Sequence, residues 1–198
     1  MGLTASLRDI GRVLTERNYR LYFAGNSLSI IGAWIHRTAL GWLTWELTGS
    51  PAWLGTIAFW AMFPAVFIAP FAGALGDRIG TRRVAVCALL ANGTNLALLS
   101  LFVFSDLLSI ELLLVQTIVF GCAFGFDLPA RSALVPAVVS RGDLPTAIAL
   151  NTTMFHLGMF AGPALFGLIN LHLEIAWAFV INAVSYFFYA FCLTRMRL

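Results

Sequence analysis

Arg37, Asp127, Arg131 and His156 are ionisable side chains inside long apolar runs. A charge at the centre of a membrane span costs at least about 3 kcal/mol, so such groups turn toward a cavity or a partner and are functional candidates. Asp127 and Arg131 are one helical turn apart, which places both on one face and lets them pair. Pro129, between them, bends the helix and frees a backbone carbonyl. Two readings stand for this pair, a structural ion pair and a transport contact. Arg37 lies ten positions before the end of its run, about 15 Å at 1.5 Å per residue, near the midplane. It must face water, an acid or an anionic ligand. Ser27, Ile30, Trp34, Arg37, Gly41 and Thr44 recur at helical spacing and form a candidate cavity wall. Asp127 is a candidate partner for Arg37 if the two runs adjoin. Glu46 is half a turn out of phase and better placed at the mouth. The alternative is an arginine held permanently by Asp127 or by helix carbonyls.

Further along, Asn151, Phe155, Gly158 and Gly162 share one helical face, followed by Pro163. Gly158-x-x-x-Gly162 permits close helix approach, and Pro163 adds a kink. His156 sits in the same run and reads either as a hydrogen-bonded structural group or as a proton relay. The three cysteines, Cys87, Cys122 and Cys192, lie in apolar runs and read as small buried hydrophobes, not as a disulfide set or a metal site. No phosphate-cradling loop is present, so ATP is not the direct energy source. An intramembrane serine protease needs a nucleophilic serine in an inner helix with a later histidine. The only Gly-x-Ser ahead of His156 and His172 is Gly25-Asn-Ser27, in the first run.

The elements that position these groups follow from composition. The 198 residues are 60% hydrophobic and 11% charged, with mean hydropathy +0.88. A soluble domain carries about a quarter charged residues. Continuous apolar stretches that can cross a ~30 Å core, without strict alternation, mark a polytopic helical membrane protein. Six spans are expected near 20–47, 51–75, 82–104, 108–137, 144–170 and 175–194, within a bundle covering 19–198. Asn18 is a candidate cap for the first, and Pro51 opens the second. Residues 1–18 form an amphipathic segment, with Leu3, Leu7, Ile10 and Leu14 on one face. It is read either as a surface helix or as a partly ordered tail. It is not a cleavable signal.

All twelve basic residues are arginine. Apart from Arg37 and Arg131, they gather before span one, between two and three, between four and five, and after six. That is a topology signal and not a nucleic-acid footprint, and the positive-inside rule puts both termini in the cytoplasm. Trp42, Trp45, Trp53 and Trp177 then fall at the outer interface, and Tyr19 and Tyr22 at the inner one. A faint echo at an offset of 93 residues pairs Gly32 with Gly125, Phe67 with Phe160 and Pro70 with Pro163. It would match span one with four and two with five, as in three-plus-three inverted repeats.

Between spans two and three runs Gly73-x-x-x-Asp77-Arg78-x-Gly80-x-Arg82-Arg83. Gly73 permits helix approach, and Gly80 permits a turn that a side chain resists. Asp77 lies near a helix C-terminus, where the macrodipole disfavours an acid. It should therefore seek Arg78, Arg82 or another helix's N-terminus. This spacing resembles the loop between helices two and three of the major facilitator superfamily. The stretch Asp127 to Asn151, with Leu47-Thr48-Gly49-Ser50, resembles the superfamily's drug and siderophore exporter branch, which includes enterobactin-exporter-like proteins and transmembrane secretion effectors. The resemblance runs from about Asn18 to the end of span six. The Gly158, Gly162 and Pro163 pattern is similar to an antiporter motif, from which Ala149 and Phe166 depart where that motif has glycines.

The resemblance implies an all-α membrane fold, one six-helix half built as a 3+3 inverted repeat. It also implies secondary-active efflux by alternating access, driven by a proton gradient, without cofactor or metal, in a bacterial inner membrane. Asp77 would be the acid of the gating loop, its partner lying in a second six-helix half, either a copy of the chain or a further segment. The expected site lies near the midplane between spans one, two, four and five. Arg37, Asp127, Arg131, Asn151 and His156 are its polar candidates, with Trp34 and Phe126 as apolar surface. Asp127 is the candidate proton carrier. The expected partners are the bilayer, a small lipophilic, siderophore-like or drug-like substrate and the second half. A non-transporting scaffold subunit is the alternative.

Overall fold

A computed structural model describes residues 10–197. It contains six long helices: α1 Arg17–Thr48, α2 Pro51–Ile79, α3 Thr81–Phe104, α4 Ile110–Val138, α5 Leu144–His172 and α6 Ala176–Thr194. No strand occurs among the described residues. The breaks have local causes. Gly49 ends α1 at φ 57°, a left-handed conformation that glycine adopts without cost. Gly80, at φ 92°, is the whole connection between α2 and α3. Residues 73–78 therefore belong to the last turns of α2 and not to a loop. Pro51 opens α2, where its missing N–H costs little. The Ser109 hydroxyl caps α4 by accepting from the Leu112 N–H at 3.3 Å.

Five helices, α2 to α6, are long and apolar enough to cross a bilayer. α1 is the exception to the six expected. Its 32 residues extend about 48 Å, but Asn26, Ser29, His36 and Thr44 are buried along it. This helix faces protein and cavity on most sides, so its composition need not match lipid.

α1 packs on α5, α6, α2 and α4, while α4 packs on α2, α3, α1 and α5. The principal pairings are α2 with α4, α5 with α1, α3 with α6, α1 with α6, and α3 with α4. Exchanging the first three helices for the last three maps this set onto itself. The 93-residue echo does not carry equivalent contacts, however. Gly32 abuts Asn182 and Ser185 of α6, whereas Gly125 abuts Ala65 and Ile68 of α2. Only 17% of the apolar windows of α2 and α5 is buried, against 61% for α6. Phe67, Phe71 and Phe160 stand out as exposed, so α2 and α5 each leave an apolar face uncovered.

One end of the bundle is tied together by polar contacts from distant parts of the chain. Asn18 does not cap α1, whose N-cap position is Glu16. Instead its amide donates to the Arg197 carbonyl at 2.7 Å and accepts from the Arg197 N–H at 3.0 Å. Arg82 donates to the carbonyls of Met196 (3.0 Å) and Thr194, just beyond and at the end of α6. Residues 10–15 are helical and Val13 is fully buried. Leu3 and Leu7 lie outside the described residues. Tyr19 and Tyr22, expected at a membrane interface, are buried instead. Tyr19 donates to the Ala147 carbonyl at 3.3 Å. Of the cysteines only Cys192 is buried, and Cys87 is exposed.

Candidate functional site

Asp127 and Arg131 pair on α4, as i, i+4 geometry allows. Arg131 Nε donates to Asp127 Oδ1 at 2.7 Å, and Nη2 lies 2.6 Å from Oδ2. The carboxylate is wholly buried and the arginine side chain 12% exposed. Such a pair is tolerable in an apolar bundle only because further groups surround it. The guanidinium lies over Tyr189 at 4.8 Å and Tyr186 at 5.5 Å, both on α6. Its Nη1 donates to Asn26 Oδ1 at 3.3 Å, and Asn26 in turn donates to Asn151 Oδ1 at 3.3 Å. Tyr22 donates to the Arg131 carbonyl at 3.4 Å. One chain of contacts thus joins α1, α4, α5 and α6.

This network forms part of the wall of a cavity of about 960 Å³. Ile30, Trp34, Arg37, Gly41 and Thr44 line it along α1, and Ser27 does not. Phe120 and Phe124 supply the aromatic surface of α4, where Phe126 was expected. α3 and α6 contribute as well, through Asn95 and Tyr186. Asn95 donates to the Gln116 backbone carbonyl at 3.1 Å.

Arg37 does not meet Asp127. Asn26, which touches Arg131, is eleven positions earlier on α1, about 16 Å along the axis. Asp127 is already held by Arg131. The Arg37 guanidinium lies 5.5 Å from the Trp34 ring, within cation–π range. No carboxylate lies in ion-pair range of it among the described residues. Glu46 accepts from the Trp42 indole N–H at 2.7 Å.

Trp34 is seated by α5. A β-carbon at Gly162 would come within 2.4 Å of Trp34 Cβ, and one at Gly158 within 2.9 Å of Trp34 Cδ1 and Ile30 Cγ2. Phe155 meets the indole edge-on at 5.5 Å. Pro163 lies inside the continuous α5. His156 is exposed and does not line the cavity. Its place is one residue past Phe155, about 100° around the helix from the packed face.

The charged motif that spans the end of α2 and the start of α3 lies elsewhere. Asp77, Arg78 and Arg83 are exposed, and Asp77 has no polar partner among the described residues. A side chain at Gly73 would meet open space.

Three features escaped the sequence patterns weighed above. His36 is buried between Phe120 (4.8 Å) and Phe179 (5.6 Å). Its signal was its position one turn beyond Gly32 on the packed face. Gly121 and Gly125 press α4 onto α2, with Trp60 O 2.9 Å and Ala65 Cα 2.9 Å from the added β-carbons. Their four-residue spacing was visible. The Arg82 cap on α6 spans more than a hundred residues and had no local signal.

A helical membrane bundle with polar groups converging on a large cavity has the architecture of a transporter. The chain belongs to the transmembrane secretion effector family, whose sequence profile matches residues 13–198. It is similar to the staphyloferrin A transporter of Staphylococcus aureus (strain NCTC 8325 / PS 47), 21% identical over 85% of this chain and 43% of that protein. It is also similar to the uncharacterized MFS-type transporter YuxJ of Bacillus subtilis (strain 168), 32% identical over 58% of this chain and 28% of that protein. The chain thus spans less than half the length of either relative.

Proposed function

We propose that the chain forms one half of a secondary-active exporter, built as a 3+3 inverted repeat, that moves a small lipophilic, siderophore-like or drug-like molecule by alternating access. The observation that carries this reading is the cavity, whose wall holds Arg37 and Arg131 inside an otherwise apolar bundle, with Asp127 buried behind Arg131. The helix pairings that exchange between the first and last three helices support the repeat. The uncovered apolar faces of α2 and α5, with open space at Gly73, support a second six-helix half docking there. That half is either a further segment or a second copy. Asp77 would reach across to it, as the gating acid of the superfamily does.

Proton coupling is assigned to Asp127, the buried carboxylate of the site. The arginine-rich end faces the cytoplasm of a bacterial inner membrane in this reading, with both termini there. The test uses everted vesicles carrying the full-length protein and a panel of lipophilic dyes and iron chelators. Accumulation that depends on the protein and vanishes when nigericin collapses the pH gradient is expected. Accumulation insensitive to nigericin would overturn proton coupling. Protein-dependent accumulation of no panel member would overturn the exporter reading in favour of a scaffold subunit.

A further inference from the structure

The cavity wall is charged on one side of the balance only. Its ionisable lining groups are Tyr22, His36, Arg37, Arg131 and Tyr186, with no Asp or Glu among them. Arg131 is neutralised from behind by Asp127. Arg37 is exposed, lines the cavity and has no carboxylate in range among the described residues. A guanidinium facing a low-dielectric cavity without a counter-ion is a recognition element for one.

The placement of Arg37 is also constrained. Its guanidinium lies beside the Trp34 ring, and Trp34 is locked between Gly158 and Gly162 of α5 and the Phe155 ring. A cation–π contact uses the charge of the guanidinium and not its hydrogen-bond donors, and no hydrogen bond occupies those of Arg37 among the described residues, so its planar fork is available to a carboxylate. The surrounding surface is apolar and aromatic, with Ile30, Phe120 and Phe124. Asn26, the α1 residue that meets Arg131, lies eleven positions before Arg37, about 16 Å along the axis, so the two arginines do not serve one small group.

We infer that the cavity selects anionic amphiphiles, a carboxylate carried on an apolar or aromatic body, and that Arg37 on Trp34 is the residue that binds the carboxylate. This deepens the transporter reading by naming its substrate class, and rests on the same cavity. It is a statement about binding, so it is tested without transport.

The experiment measures binding of 2-naphthoate, its methyl ester and 2-naphthylmethylammonium to the full-length protein in detergent, by quenching of tryptophan fluorescence and by calorimetry. The wild type should prefer the carboxylate over both others by about tenfold or more, the scale of a charge-assisted hydrogen-bonded pair. Arg37→Gln should bring the carboxylate-to-ester ratio close to one while ester binding is unchanged. Arg37→Lys, which keeps the charge but loses the planar fork, should retain part of the preference. A wild type without preference overturns the inference, and that result needs no variant to fold. So does an Arg37→Gln protein that keeps the full ratio. A carboxylate preference that depends on Arg37, in a protein that moves nothing across vesicles, would uphold this inference while the exporter reading failed. Proton-driven export with a charge preference indifferent to Arg37 would do the reverse.

Discussion

The Cβ of Trp34 on α1 occupies the space that any side chain at Gly162 on α5 would need, at 2.4 Å from the position of the missing β-carbon. The same missing atom would stand 2.9 Å from the Trp34 carbonyl carbon, so the obstacle includes backbone. Glycine at 162 lets the two helices touch here, and the touch fixes the ring beneath Arg37. Gly162→Ala must push α1 and α5 apart, an overpacking cost on the order of 1–3 kcal/mol. The expected outcome is a lowered Tm by differential scanning fluorimetry and weaker quenching by 2-naphthoate. Gly167→Ala on the same helix, where a β-carbon meets nothing within 4 Å, should leave both unchanged. Equal effects at the two positions would refute the packing role.

Removing one member of the Asp127–Arg131 pair leaves the other charge buried without its partner. The expected loss for Asp127→Leu or Arg131→Met is about 3–5 kcal/mol each, the range for breaking a buried ion pair. The double variant Asp127→Leu/Arg131→Met should be more stable than either single one, because no uncompensated charge remains. A double-mutant cycle by thermal unfolding in detergent checks this. Strict additivity would show that the two side chains do not act as a pair.

Much of this site could be read from the chain before any coordinates. The i, i+4 spacing of Asp127 and Arg131 is a local property, and it produces the observed pair. Helix limits followed the apolar runs closely, since lipid demands continuous hydrophobicity. α2 ran four residues past its expected end because Gly73 to Arg78 tolerate helix and only Gly80 breaks it. What stayed hidden depends on distant partners. Tyr19 and Tyr22 look like interfacial rings in a run that begins beside arginines, and burial comes only from packing such as that of Tyr22 on Tyr189 of α6, 5.9 Å away. Arg37 carried its cost in the sequence, but its separation from Asp127 required knowing that Asn26, not Arg37, meets Arg131.

Among the described residues, Arg82 is the one arginine of the motif at the α2–α3 junction with side-chain hydrogen-bond partners, and they lie at the end of α6. Its donors satisfy carbonyls of Thr194 and Met196, which a helix C-terminus otherwise leaves open. Arg82→Ala should raise amide hydrogen exchange at residues 194–197, with Arg82→Lys intermediate. Arg83→Ala, altering an exposed neighbour, should not. Unchanged exchange in Arg82→Ala would show that the cap contributes nothing to local order.

The contact of the N-terminal helical stretch with the α4–α5 connection should be sensitive to acid. Asp143 accepts from Arg12 Nε at 2.9 Å and from the Ser140 hydroxyl at 2.8 Å. The hydrogen bond from Arg12, followed by that from Ser140, holds its carboxyl below the usual 3.8. A carboxylate whose folded pKa is depressed contributes stability that is fully present above the unfolded value and is lost as pH falls through the folded one. The attachment of residues 10–15 should therefore be indifferent to pH between about 5 and 8 and weaken only below 3.8. Hydrogen exchange of residues 10–15, followed from pH 7 down to 3 after correction for the intrinsic rate, reads this directly. Asp143→Asn should reproduce the loosened state at neutral pH and abolish the acid dependence. Loosening that begins near pH 6 in the wild type, or that persists unchanged in Asp143→Asn, would assign it to another group.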